Sequence, residues 1–219
     1  MLLFVCSLLS NLDHGSVPGL SVPIKNNLEI QNFKFGLLGT IVYLGFLFGS
    51  LASAVLFQKA HTTKLLLVIA ITFNGGTLLA FTQLTDYYSS LFSRFICGFF
   101  QVFFCIYCPV WGDIYGSHRQ KSIWITLFSI SSPLGIFLGF ALASMLNNDL
   151  DWKYAFYIQA FFTIPCLIGL LITGSHWLNI EQAAAHRKDC ERNVLVELGL
   201  PADYLQVRGG ILDANGGYS

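Results

Sequence analysis

With 219 residues, of which 54% are hydrophobic and only 11% charged, the chain has too little polar surface to cover a soluble globule of its length. Lys plus Arg and Asp plus Glu are equal at 12 each, so no net basic field exists to hold nucleic acid, and the lipid bilayer is the expected partner. The 6 cysteines imply no disulfide framework: Cys6, Cys97, Cys105, Cys108 and Cys166 lie in apolar runs, where a thiol behaves as a small hydrophobe.

About 20 apolar residues carry a helix across the hydrocarbon core, and such stretches recur near 1–24, 36–57, 65–83, 89–111, 122–146 and 154–177. The predicted fold class is therefore all-α and integral to the membrane, a six-helix transmembrane bundle over residues 1–178. The first span is the least regular, interrupted by Asn11, Asp13 and His14 and followed by Pro18 and Pro23, and it is too polar at its centre for a signal-peptide core. On the second, Gly45, Gly49 and Ser53 recur every four residues, and the fifth repeats the device with Gly135 and Gly139 after Pro133; small residues at that spacing let helix backbones touch in lipid. Short connections such as QKAHTTK and GDIYGSHRQKS make neighbouring helices antiparallel. Beyond the bundle, residues 179–219 read as a cytosolic helix closed by Gly199 and Pro201, then a flexible tail.

Basic residues set the orientation. Lys59, Lys64, Arg119, Lys121 and Arg187, Lys188, Arg192 and Arg208 of the tail fall on one side, against Lys25, Lys34 and Lys153 on the other, which puts both termini in the cytosol. Whether the membrane is the plasma membrane or an internal one is not encoded in this pattern.

Ionisable groups at membrane depth are expensive and mark functional sites by default. Asp13 and Arg94 are the two clear cases. At 1.5 Å per residue Asp13 lies roughly 18 Å deep, with Gln101 in the same layer and Arg94 about 10 Å nearer the outside. Arg94 and Gln101 are two turns apart and share a face with Cys97, Gly98 and Cys105. On the cytosolic side Asp113, His118, Arg119 and Lys121 share one loop and Lys59, His61 and Lys64 sit in the preceding one; either set offers partners for Asp113.

In RFICGFFQVFFCIYCPVWGD, Arg94 is followed by Gly98, Gln101, Pro109 and Asp113; NLDHG carries Asn11, Asp13 and a basic residue; and DWKYAFYIQA starts the sixth helix with Trp152, Lys153 and Phe156. In these motifs the chain resembles the amino-terminal half of a major facilitator superfamily transporter, with the Spinster-like lipid carriers as the nearest branch. The resemblance implies a two-bundle fold with a midplane cavity between the halves, Asp13, Arg94 and Gln101 as substrate-binding or coupling residues, and Asp113, Arg119 and Lys59 as cytosolic gating residues. It also implies that the other half comes from a missing carboxy-terminal portion or from a second copy.

Two departures from the family pattern stand out. GSLASAVLFQKAHTTK has Ser53 where the family's cytosolic latch has Asp. Gln101 stands where the branch commonly has a Glu linked to proton coupling, and an amide cannot titrate. The predicted function is transmembrane transport of a small-molecule solute, lipid-like or an organic anion, by alternating access, with no cofactor. A membrane scaffold or regulator that keeps the fold without transport is the alternative. An intramembrane enzyme is not expected: no Gly-x-Ser-x-Gly turn occurs, only His14 lies well inside a span, and no zinc constellation is present.

Overall fold

Asn11 and the two prolines that follow it decide the shape of the first span. In the computed structural model, which describes residues 1–59, 63–116, 118–146 and 151–179, this span is three helical pieces: α1 (Leu2–Ser10), α2 (Leu12–Gly19) and α3 (Ser21–Leu28). The single helix expected near 1–24 is thus corrected to a broken one.

Each break has a local cause. Ser10 Oγ donates to the Cys6 carbonyl at 2.8 Å and Asn11 Nδ2 to the Ser7 carbonyl at 2.7 Å, so side chains compete for carbonyls as α1 ends. At the second break, Leu20 leaves helical geometry at φ −104°, ψ 24°. Pro23 then falls in the first turn of α3, where its missing N–H breaks no intrahelical bond. Glu29, at φ 51°, closes α3 in the left-handed conformation.

Five long helices follow: α4 (Asn32–Lys59), α5 (Thr63–Gln83), α6 (Tyr87–Tyr115), α7 (His118–Leu146) and α8 (Lys153–Ile172), with a short α9 (Ser175–Leu178) after them. Each of the five contains a stretch long and apolar enough to cross a membrane. Asp86 caps α6: its carboxylate accepts the Ser89 backbone N–H at 3.0 Å, which holds the carboxyl below the usual carboxylate range. The cap is therefore present above that range and is lost as the pH falls through the lowered value. Residues Met1–Asn179 form one compact unit, and the helix and tail expected over 179–219 lie, beyond Asn179, outside the described residues.

Lipid offers no hydrophobic drive between helices, so the bundle is held by close backbone approach. A Cβ on Gly45 or Gly49 would strike the carbonyl oxygen of Phe95 or Phe99, and one on Gly98 that of Val42, which locks α4 onto α6. On the other flank, a Cβ on Gly15 would meet the Ile136 carbonyl and one on Gly139 the Leu12 carbonyl, which fixes α2 against α7. Ser16 Oγ donates to the Gly139 carbonyl across the same contact at 3.2 Å. The buried core gathers around Phe81, Trp152 and Phe156, which meet edge to face. At the far end of α6, Tyr107, Trp111 and Tyr115 lie one turn apart and donate to the carbonyls of Leu178, Trp177 and Asn179. The least enclosed of the five long helices are α4 and α7, which expose Leu47, Phe48 and Leu51, and Phe137, Phe140 and Met145.

Candidate functional site

The break at Asn11 creates the site. Ending α1 in the middle of the bundle interrupts its carbonyl ladder; the cap backbone N–H groups reach the Leu8 and Leu9 carbonyls, and in lipid the groups at such a break draw further partners from within the protein. Two glutamines from other helices reach the break: Gln159 of α8 donates to the Leu9 carbonyl at 2.9 Å, and Gln101 of α6 donates to the Ser10 carbonyl. Gln101 Nε2 also lies 3.4 Å from Asn11 Oδ1, which accepts the Ser132 hydroxyl of α7 at 3.1 Å. Gln101 is fully buried and pins the break in place.

One turn beyond the break, Asp13 meets α6. Arg94 Nη1 donates to Asp13 Oδ2 at 2.8 Å, and the two side chains are 2% and 0% exposed. So dry an ion pair stands only where its partners are close and further bonds support it. The same oxygen accepts the Cys97 thiol at 3.8 Å, and Cys97 Sγ accepts Asn74 Nδ2 of α5 at 3.5 Å. The guanidinium carbon lies 4.3 Å from the Phe81 ring centroid and 5.5 Å from that of Phe156, so the positive charge is held against two aromatic faces.

The pair is nevertheless only partly satisfied. Asp13 Oδ1 and Arg94 Nε and Nη2 are buried and bonded to no protein atom among the described residues. A bidentate fork would use two of those groups; here one bond forms, and the rest of the fork remains available beside a cavity of about 190 Å³. Asp13, His14 and Arg94 line that cavity with Gly36, Gly39 and Tyr43 of α4. Beyond Gly36 and Gly39 the space is open.

Asp13, Arg94 and Gln101 are thus within one cluster. Arg94 bonds Asp13 although its backbone is expected nearer the outside, since an arginine's charge lies several ångströms from its Cα. Asp113 pairs with Lys121 of α7, where both side chains are partly exposed. Lys64 instead donates to the carbonyls of Leu171 and Thr173 at 2.6 and 2.7 Å, at the end of α8. The side chains of Lys59 and Arg119, and His61 as a whole, lie outside the described residues.

The sequence reading missed His14 as a member of the cluster. His14 Nε2 is 3.2 Å from Gln101 Oε1, and the ring stacks on Tyr43 at 5.8 Å and meets the edge of Phe46. Its neighbour Asp13 drew notice as a charge; the half-buried imidazole beside it carried the same signal of a polar group at depth.

A family model described as Major Facilitator Superfamily matches residues 3–193. The chain belongs to that superfamily. Major facilitators are a family of membrane transporters; the chain is an integral membrane protein of that family, and its break at Asn11 is a discontinuity within the first span of the bundle. Among curated proteins it is similar to two from Arabidopsis thaliana. The first, "Probable sphingolipid transporter spinster homolog 1", is 26% identical over 63% of this chain and 28% of its own length. The second, "Probable sphingolipid transporter spinster homolog 2", is 26% identical over 70% of this chain and 32% of its own. "Protein spinster homolog 1" of Xenopus tropicalis is 24% identical over 71% and 30%. The chain therefore spans about a third of the length of the curated relatives it matches.

Proposed function

We propose that residues 1–178 form one bundle of an alternating-access transporter, with Asp13, Arg94 and Gln101 at the midplane of its central cavity. The cargo is a small amphiphile or organic anion. The observation that carries this reading is the buried, half-satisfied Asp13–Arg94 pair beside an open cavity, because a guanidinium with unused donors in a low-dielectric site is built to receive an anionic group. The spinster relatives, two of them described as probable sphingolipid transporters, support a lipid-like cargo.

A second bundle, from a carboxy-terminal half or another copy, closes the cavity by covering the apolar faces of α4 and α7. The two bundles rock around the site to expose it to each side in turn. In this reading both termini are cytosolic, residues 179–219 form the cytosolic connection, and Asp113, Arg119 and Lys59 form the cytosolic gate.

One observation favours the alternative, a scaffold without transport. Ser53, at the position of the family's latch Asp, is fully buried and bonds the Ser50 carbonyl of its own helix at 2.8 Å, with no bond to another helix among the described residues. Reconstitution of the complete protein in liposomes separates the two. Exchange of a labelled single-chain sphingolipid across the membrane, above that of protein-free liposomes, is expected; exchange no faster than in those controls supports the scaffold.

A further inference from the structure

We infer that His14 is the proton-carrying residue of the cavity, taking up a proton at Nδ1 as an anionic group binds beside Arg94. The inference rests on the transport reading above but concerns a residue that this reading does not use.

The hydrogen-bond network fixes the ring's chemistry. Asn11 Nδ2 donates to the Ser7 carbonyl, so Asn11 Oδ1 faces the other way, toward Gln101. Gln101 Nε2 points at two acceptors, the Ser10 carbonyl and Asn11 Oδ1, which leaves Gln101 Oε1 facing His14 Nε2 at 3.2 Å. A carbonyl oxygen only accepts, so His14 Nε2 carries a hydrogen in both charge states. The ring nitrogen left to gain or lose a proton is therefore Nδ1, on a residue that lines the cavity.

The surrounding charges make that proton count. Lining the cavity with His14 are Asp13 beside it on α2, Arg94 of α6 and Tyr43 of α4, while the Cys97 thiol lies on the Asp13 carboxylate. Neither α7 between Ser122 and Leu146 nor α5 between Leu65 and Gln83 carries an ionisable side chain. Asp13 is held in its bond to Arg94, and imidazole is the side chain that ordinarily changes charge between pH 5 and 8. With His14 neutral the site has no net charge; with His14 protonated it carries one positive charge, which an incoming monoanion cancels. Proton and anion thus assist each other's binding, and the linkage is reciprocal. Gln101, which cannot titrate, serves as the acceptor that orients the ring.

The test uses the complete protein in lipid nanodiscs and N-decanoyltaurine, a sulfonate amphiphile whose own charge is fixed across this range. Calorimetric titration in buffers of different protonation enthalpy counts the protons taken up. Wild type is expected to take up protons on binding and to bind about ten-fold more tightly at about pH 5.5 than at about pH 8. His14→Gln and His14→Arg both keep an N–H donor for Gln101. Both are expected to bind with no proton uptake and a flat pH profile, the Arg variant at the tighter level; if the Gln variant fails to fold, the Arg variant carries the comparison. Equal proton uptake in wild type and either variant overturns the assignment, as does wild-type binding without proton uptake, and both leave the cargo reading standing. Absence of wild-type binding throughout this range overturns the anionic-cargo reading and this inference with it.

Discussion

Arg94→Ala is expected to abolish uptake by the complete protein. The guanidinium is the only cation bonded to the fully buried Asp13 among the described residues. Removing one member of such a pair typically costs about 3–5 kcal/mol, since the other is left buried and uncompensated. A protein can avoid much of that penalty if the stranded carboxylate takes up a proton, so lost uptake alone would not separate mechanism from misfolding. The double variant Asp13→Asn, Arg94→Ala separates them. It leaves no net charge, and its thermal stability in detergent is expected to recover to within about 1 kcal/mol of wild type while uptake stays at the background of empty vesicles. A double variant that folds and transports would remove the pair from the mechanism and leave it a structural tie.

Gly139→Leu is expected to disrupt the α2–α7 packing severely. A side chain there runs into the Leu12 carbonyl and, at 3.0 Å, the Ser16 backbone nitrogen, and backbone on both sides of the contact cannot swing away as a rotamer can. Overpacking in cores usually costs about 1–3 kcal/mol. Here the loss is expected to exceed about 3 kcal/mol, because relief requires α2 to leave α7 and to take Asp13 with it. The comparison is Gly76→Ala on α5, whose Cβ would meet nothing within 4 Å. That change is expected to be neutral or to stabilise by about 0.5–1 kcal/mol, as Ala generally does in a helix interior. Thermal unfolding of both variants by fluorescence-detected size exclusion gives the contrast, and similar melting temperatures for the two would contradict the backbone-contact explanation of the α2–α7 seam.

These two contacts mark what was legible in the sequence. The five long helices follow from runs of apolar residues, since a bilayer enforces length and hydropathy more strictly than water does. The Gly45, Gly49 and Gly135, Gly139 pairs mark two close-packed seams by their spacing alone. Their partners, Gly98 and Gly15, were less visible because the matching surface is a carbonyl rather than a side-chain pattern. The break at Asn11 was visible as a concentration of polar residues and prolines, but not as the reason for Gln101 and Gln159. Which carbonyl a distant glutamine satisfies depends on helix register, and register is set by packing. The bond from Arg94 to Asp13 was not legible from depth alone, because a rise per residue locates a Cα, whereas an arginine's charge is several ångströms from it. His14 was passed over because its partner is an uncharged amide on another helix.

The most direct test of the central claim, a cavity at Asp13 and Arg94 that opens to each side of the membrane in turn, uses Gly39→Cys in a complete protein whose native cysteines have been replaced. Gly39 lines the cavity and has open space beyond it, so the new thiol reports access to the site without altering its charges. The prediction is that a membrane-impermeant maleimide labels this thiol from either side of sealed vesicles, and that cargo shifts the two rates in opposite directions. Labelling from one side alone, unchanged by cargo, would contradict alternating access at this site.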